Sequence, residues 1–131
     1  MSEAEQILQE CASNVACLRL PASAPFEIEV SLSGTWATLE CDVAEPAGPE
    51  SAARLHSVVC CWVDWANRTE SAHDQNDRGD VAQASEPVIG VDFVQWHLQL
   101  HLAEPQRLNV LVNAITRLHH RGIQLCGLYI G

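Results

Sequence analysis

Between Phe26 and Val43, apolar and polar side chains alternate on both sides of Ser33-Gly34. Phe26, Ile28, Val30 and Leu32 alternate with Glu27, Glu29, Ser31 and Ser33. Thr35, Ala37, Leu39, Cys41 and Val43 then alternate with Trp36, Thr38, Glu40 and Asp42. Period two is the period of a strand, so this segment needs a core on one side and water on the other. A two-residue turn at 33–34 predicts a hairpin. Its register pairs Leu32 with Thr35, Val30 with Ala37, Ile28 with Leu39 and Phe26 with Cys41, all on one face. On the other face it sets Glu27 opposite Glu40, with Glu29 and Asp42 beside them.

The other segments supply what that face needs. Ser2 and Glu5 have capping-box spacing, and Ile7, Leu8, Cys11 and Val15 recur at helical spacing, which predicts a helix over 3–14. Val15 to Leu20 reads as a short extended piece stopped by Pro21, and 21–25 as a loop. Gly48-Pro49 opens a helix over 50–68, with Leu55, Val58, Val59, Trp62 and Ala66 on its apolar stripe. Glu50 with Arg54 and Asp64 with Arg68 are favourable i, i+4 pairs on it. The polar stretch 69–87 reads as a long mobile loop. Val94, Trp96, Leu98, Leu100 and Leu102 alternate within a strand over 88–102. Leu108, Leu111, Val112, Ile115 and Leu118 stripe a helix over 106–121, and Gly122 caps it. Ile123 to Ile130 is apolar at nearly every position, so it reads as an interior strand.

These elements predict an α+β fold in a single domain, 1–131. It is a two-layer sandwich: a four-stranded mixed sheet with two helices, 50–68 and 106–121, on one face, plus an N-terminal helix. The unit 92–130 is a right-handed crossover that leaves its two strands parallel.

Charge narrows the function classes. The net charge is -10, and all seven cationic residues are Arg, with no Lys. A chain this acidic lacks the cations that displace counterions from phosphates, which argues against nucleic acid and against anionic membranes. Without Lys there is no Schiff-base, general-base or phosphate-loop lysine. The N-terminus lacks the layout of a secretory signal, and no apolar run approaches the roughly 18 residues a membrane span needs. The six Cys include no C-x-x-C, and three fall in apolar stripes. A reduced, cytoplasmic protein is the expectation, with disulfides as the alternative.

The stretch from Gln95 to Ile130 resembles the first strand–helix–strand half of an ACT-like, ferredoxin-like domain. The residues carrying the resemblance are His120-Arg121-Gly122-Ile123 and the strand Gln124-Leu125-Cys126-Gly127-Leu128. It covers about a quarter of the chain. The resemblance implies a regulatory domain that binds a small ligand and dimerises through a sheet edge.

Motifs for catalysis are few. No nucleophile elbow, Walker loop, dinucleotide fingerprint or Cys-His signature occurs, so no catalytic residue and no cofactor is assigned. His97 and His101 form an H-x-x-x-H pair, which binds metal when both lie on one helical face. The alternation around them argues for a strand, where four residues span roughly 13 Å, too far for one ion. A helical segment would revive a metal-binding reading through His and Cys. His119 and His120 fit a helix C-terminus, where the dipole favours cations. Of the vicinal Cys60 and Cys61, one is expected to face the core. Asp74-x-Asn76-x-Arg78-Gly79 resembles the start of a calcium loop but carries Arg78 at an oxygen-ligand position.

A surface remains as the most informative feature. Glu27, Glu29, Glu40 and Asp42 share the outward face of the predicted hairpin with Trp36. Gln95, His97, Gln99 and His101 extend that face if the strands share one sheet. The expected function is a non-enzymatic interaction module, of the inhibitor, immunity or chaperone kind, binding a basic protein through this face. Trp36 would anchor the contact, whereas Trp62 and Trp96 belong to the core.

Overall fold

The computed structural model describes residues 1–32, 34–44, 48–73, 82–101 and 106–131. The described elements are α1 (Glu3–Ala12), a 3-10 turn (Val15–Leu18), β1 (Glu27–Val30), β2 (Trp36–Val43), α2 (Pro49–His73), β3 (Ala82–Ala84), β4 (Val88–Ile89), β5 (Phe93–Leu100), α3 (Arg107–His119) and β6 (Leu125–Ile130). The fold is α+β with a mixed sheet. That sheet has six strands rather than four, in the order β1-β6-β2-β5-β3, with β4 also paired to β5. Two short strands paired to β5 account for the difference: the single strand expected over 88–102 is split into β4 and β5, and β3 lies in the stretch 69–87 expected as a loop. The N-terminal part of that stretch continues α2 to His73, while 74–81, including the calcium-like motif, lies outside the described residues.

The predicted hairpin does not form. β1 pairs in parallel with β6, and β6 pairs antiparallel with β2, so the last strand lies between the two expected partners. Ile28 sits beside Leu128, and Leu128 beside Cys41; Glu29 sits beside Tyr129, and Tyr129 beside Glu40. The reason is burial. β6 carries Leu125, Leu128 and Ile130, all buried, and a strand this apolar is best satisfied with a neighbour on each side. The chain between Val30 and Trp36 is long enough to cross one strand, since two strand spacings are only about 9.6 Å. β5 and β6 both run antiparallel to β2, so they are parallel to each other, as the crossover required, with β2 between them.

Alternation still decides the faces. Burial alternates along β2 and β5, with Ala37, Leu39, Cys41, Val94, Trp96 and Leu98 on the core side. Leu55, Val58, Val59 and Trp62 of α2 and Leu108, Leu111, Ile115 and Leu118 of α3 complete the same core. Trp62 Nε1 donates to the Arg107 carbonyl at 3.0 Å, which satisfies a buried polar atom where α2 meets the start of α3. The main contacts of α1 are with α2, α3 and the 3-10 turn. Ser2 accepts from the Glu5 amide at 3.2 Å, as a capping residue should. The expected Glu50–Arg54 pairing gives way to a tertiary one, because Arg54 forks onto both Glu3 oxygens at 2.9 Å and reaches the Arg121 carbonyl. Arg117 ties α3 to Glu10 of α1 at 2.8 Å. Gly122, at φ 106°, turns the chain out of α3 in a conformation that costs glycine little. No helix among the described residues is long and apolar enough to cross a membrane.

Candidate functional site

The face of the sheet turned away from the helices is built from every second residue of its strands. One row across it reads Glu27, Gly127, Asp42 and Phe93. The next reads Glu29, Tyr129, Glu40 and Gln95, and the following rows add Thr38 with His97 and Trp36 with Gln99. All four acids expected on one surface are on it. Their arrangement differs from the expectation, because Glu27 is not opposite Glu40. β6 separates the two acid-bearing strands, which spaces the carboxylates of each row by about 9.6 Å and weakens their repulsion.

Tyr129 fills the gap between them. Its hydroxyl donates to Glu27 Oε2 at 3.2 Å. The ring reaches that carboxylate by lying over Gly127, where an added Cβ would come within 2.6 Å of the hydroxyl oxygen. Partial burial, followed by the Glu27 charge, raises the Tyr129 phenol above its usual range, so it stays a donor. Within β2, a hydrogen bond shared with Asp42 and then partial burial raise the Glu40 carboxyl above the usual carboxylate range. Gln95 Nε2 donates to Glu40 Oε1 at 3.2 Å and opposes that shift. Tyr129 and Gly127 belong to the site, and sequence reasoning missed them. The signal was a Gly-x-Tyr step inside an otherwise apolar strand, which puts one small and one polar-tipped residue on a single face.

Trp36 stands at the end of this face with 65% of its surface exposed. His97 and His101 are exposed as well, and His101 lies within 3.4 Å of Gln99. His97 is on a strand, so the two imidazoles do not stack one helical turn apart. Among the described residues, no three His, Cys, Asp or Glu side chains converge to hold a metal ion.

The cations lie elsewhere. Arg54 and Arg68 are on α2, Arg107 and Arg117 on α3, Arg19 and Arg121 just beyond helical segments. None of the described Arg residues is on a strand. Glu3 and Glu10, on the helical side, have Arg partners at 2.9 and 2.8 Å.

A second cluster sits where α2 meets β5. Buried Trp96 donates through Nε1 to His56 Nδ1 at 3.0 Å, which leaves the imidazole hydrogen on Nε2. Nε2 faces Cys60 Sγ at 3.5 Å and Glu86 Oε2 at 3.9 Å. This is not a thiolate–imidazolium pair. Burial, Asp64 and Glu86 all raise the Cys60 thiol, so it remains protonated, and an Nε2 that already carries hydrogen cannot take its proton. All six Cys are free thiols: Cys11, Cys17 and Cys41 are buried, Cys60 and Cys126 exposed, and Cys61 half-buried against the core. Comparison of the chain with family models, curated proteins and solved structures finds no match.

Proposed function

We propose that the chain is a non-enzymatic interaction module that binds a basic protein partner through the open face of its sheet. The observation that carries this reading is the segregation of charge. Glu27, Glu29, Glu40 and Asp42 share one face, and the described Arg residues all lie outside the strands. A field of one sign over a broad surface steers an oppositely charged partner and fixes its orientation. Trp36 supplies an exposed aromatic anchor beside the charges, the residue type that contributes most at protein interfaces. An inhibitor, an immunity protein or a dedicated chaperone would use such a face. The partner's contacting groups would be Arg and Lys over the carboxylates and an apolar pocket for Trp36, with His97 and His101 at the margin.

The test is capture by the immobilised chain, compared with the variant Glu27→Lys, Glu29→Lys, Glu40→Lys, with native mass spectrometry of what is held. A basic protein retained by the wild type is expected to be lost from the variant. It should also elute in 1 M salt, where the Debye length falls to about 3 Å. Equal retention by both chains, insensitive to salt, would sink the proposal.

A second reading, a small-ligand regulatory domain of ACT-like type, draws support from one feature. β5, α3 and β6 form a crossover whose parallel strands are split by β2, the arrangement of ferredoxin-like sheets. It expects a small polar metabolite to raise the melting temperature. A flat response across amino acids and nucleotides counts against it.

A further inference from the structure

The two edges of the sheet are treated differently. At the β3 edge, Asn67 of α2 takes both backbone groups of Ala82, accepting from its N–H at 2.8 Å and donating to its carbonyl at 3.0 Å. Pro87 then interrupts the edge between β3 and β4. Both devices block strand addition there.

Among the described residues, the β1 edge carries neither. The Ser31 N–H donates to the Ile130 carbonyl at 2.8 Å, which fixes the parity of the parallel ladder. Glu27, Glu29 and Ser31 therefore turn their backbone groups toward β6, and Ile28 and Val30 turn theirs to the outside. The outer edge thus presents two N–H donors and two carbonyl acceptors at strand spacing. A shallow groove of about 660 Å³ runs from Leu20, Ile28, Glu29 and Val30 across the sheet to Tyr129 and Glu40.

Which strand fits is decided by the side chains. A second copy of β1 added antiparallel would set Glu29 against Glu29, or Glu27 against Glu29, depending on register. Like charges directly opposite one another destabilise a strand pair. A strand carrying Lys or Arg at every second residue would put each cation beside Glu27 or Glu29, and its intervening residues beside Ile28 and Val30.

We propose that the outer edge of β1 is the docking site for an extended segment of the basic partner, alternating Lys or Arg with apolar residues, which adds to the sheet as a further strand. This proposal rests on the reading of the open face given above and names the way the partner engages it.

The experiment uses the full chain and a short synthetic peptide alternating Lys with Val, together with the same peptide N-methylated at alternate residues. N-methylation removes backbone donors and leaves the charge unchanged. The expected result is slowed hydrogen exchange at the Ile28 and Val30 amides on adding the parent peptide, and binding at least about tenfold weaker for the methylated one. Ile28→Pro deletes one outward N–H without breaking a bond to β6, and should weaken the parent peptide similarly, with a lower melting temperature from the lost packing of the half-buried Ile28 side chain. The methylated peptide escapes any folding defect of that variant. Equal binding of the two peptides, with no protection at Ile28 or Val30, overturns edge docking. In that outcome, weakening of both peptides by Glu40→Lys leaves the acidic face standing as an electrostatic surface. Absence of binding by either peptide overturns both proposals.

Discussion

Glu40 and Glu3 are both surface carboxylates, and their neighbours push them in opposite directions. Asp42 raises the Glu40 carboxyl, so its stabilising contribution is fully present below the unfolded carboxylate value and is lost as pH rises through the raised folded value. The Arg54 guanidinium lowers the Glu3 carboxyl, so that contribution is present above the unfolded value and lost as pH falls through the lowered folded value. Glu40→Gln should therefore stabilise the chain at pH 7 by about a few tenths of a kcal/mol, with the gain vanishing on acidification. Glu3→Gln should destabilise it at pH 7 by a similar amount, the difference also vanishing in acid. Denaturant titrations of both variants across that range read the two signs. Trp96→Phe keeps a ring in the core but deletes the donor to His56, and should cost about 1–3 kcal/mol by thermal or chemical unfolding. Trp36, Trp62 and Trp96 were legible as single residues because alternation and helical spacing assign each a side. The partner of Arg54 was not legible, because Glu50 one turn away and Glu3 on another helix offer the same charge, and only packing brings Glu3 within 2.9 Å.

At the scale of elements, helices α1, α2 and α3 were readable from stripes and caps, and β2, β5 and β6 from alternation or unbroken apolarity. The error was in pairing. Turn and pattern both argued for a hairpin between β1 and β2, and both were local signals. Neither contained the competing demand of β6 for an interior place. Gly127 and Tyr129 reached the acidic face through that same insertion. Hydrogen exchange should follow the result: amides of Leu128 and Tyr129 on β6 exchange slowest, and those of Ile28, Val30 and β4 fastest among the strands. Fast exchange on β6 would contradict its interior position. Leu128→Ala should cost about 2–5 kcal/mol, whereas Val88→Ala, at an exposed edge position, should stay within about 0.5 kcal/mol of wild type.

At the scale of the whole molecule, the described charges differ by layer, with Glu27, Glu29, Glu40 and Asp42 on the open face and Glu3 and Glu10 paired to Arg among the helices. Glu27 and Glu29 have a second effect at this scale, since they keep an otherwise open edge from pairing with another copy. Glu27→Thr with Glu29→Thr removes the repulsion and keeps strand-forming residues, so this double variant should associate more strongly than the wild type in sedimentation at matched concentration. Unchanged sedimentation would show that the charges do not guard the edge. The sequence by itself determined which face of each segment meets the core, because side-chain periodicity is a property of the local backbone. It also determined that Glu27, Glu29, Glu40, Asp42 and Trp36 share the opposite face, since strands of one sheet present the same side to water. Only the tertiary structure decided the neighbours: β6 between β1 and β2, Tyr129 between the carboxylates, Asn67 on one sheet edge and, among the described residues, nothing comparable on the other. Those are choices among segments distant in the chain, made by the total burial of the assembled core, which no local window contains.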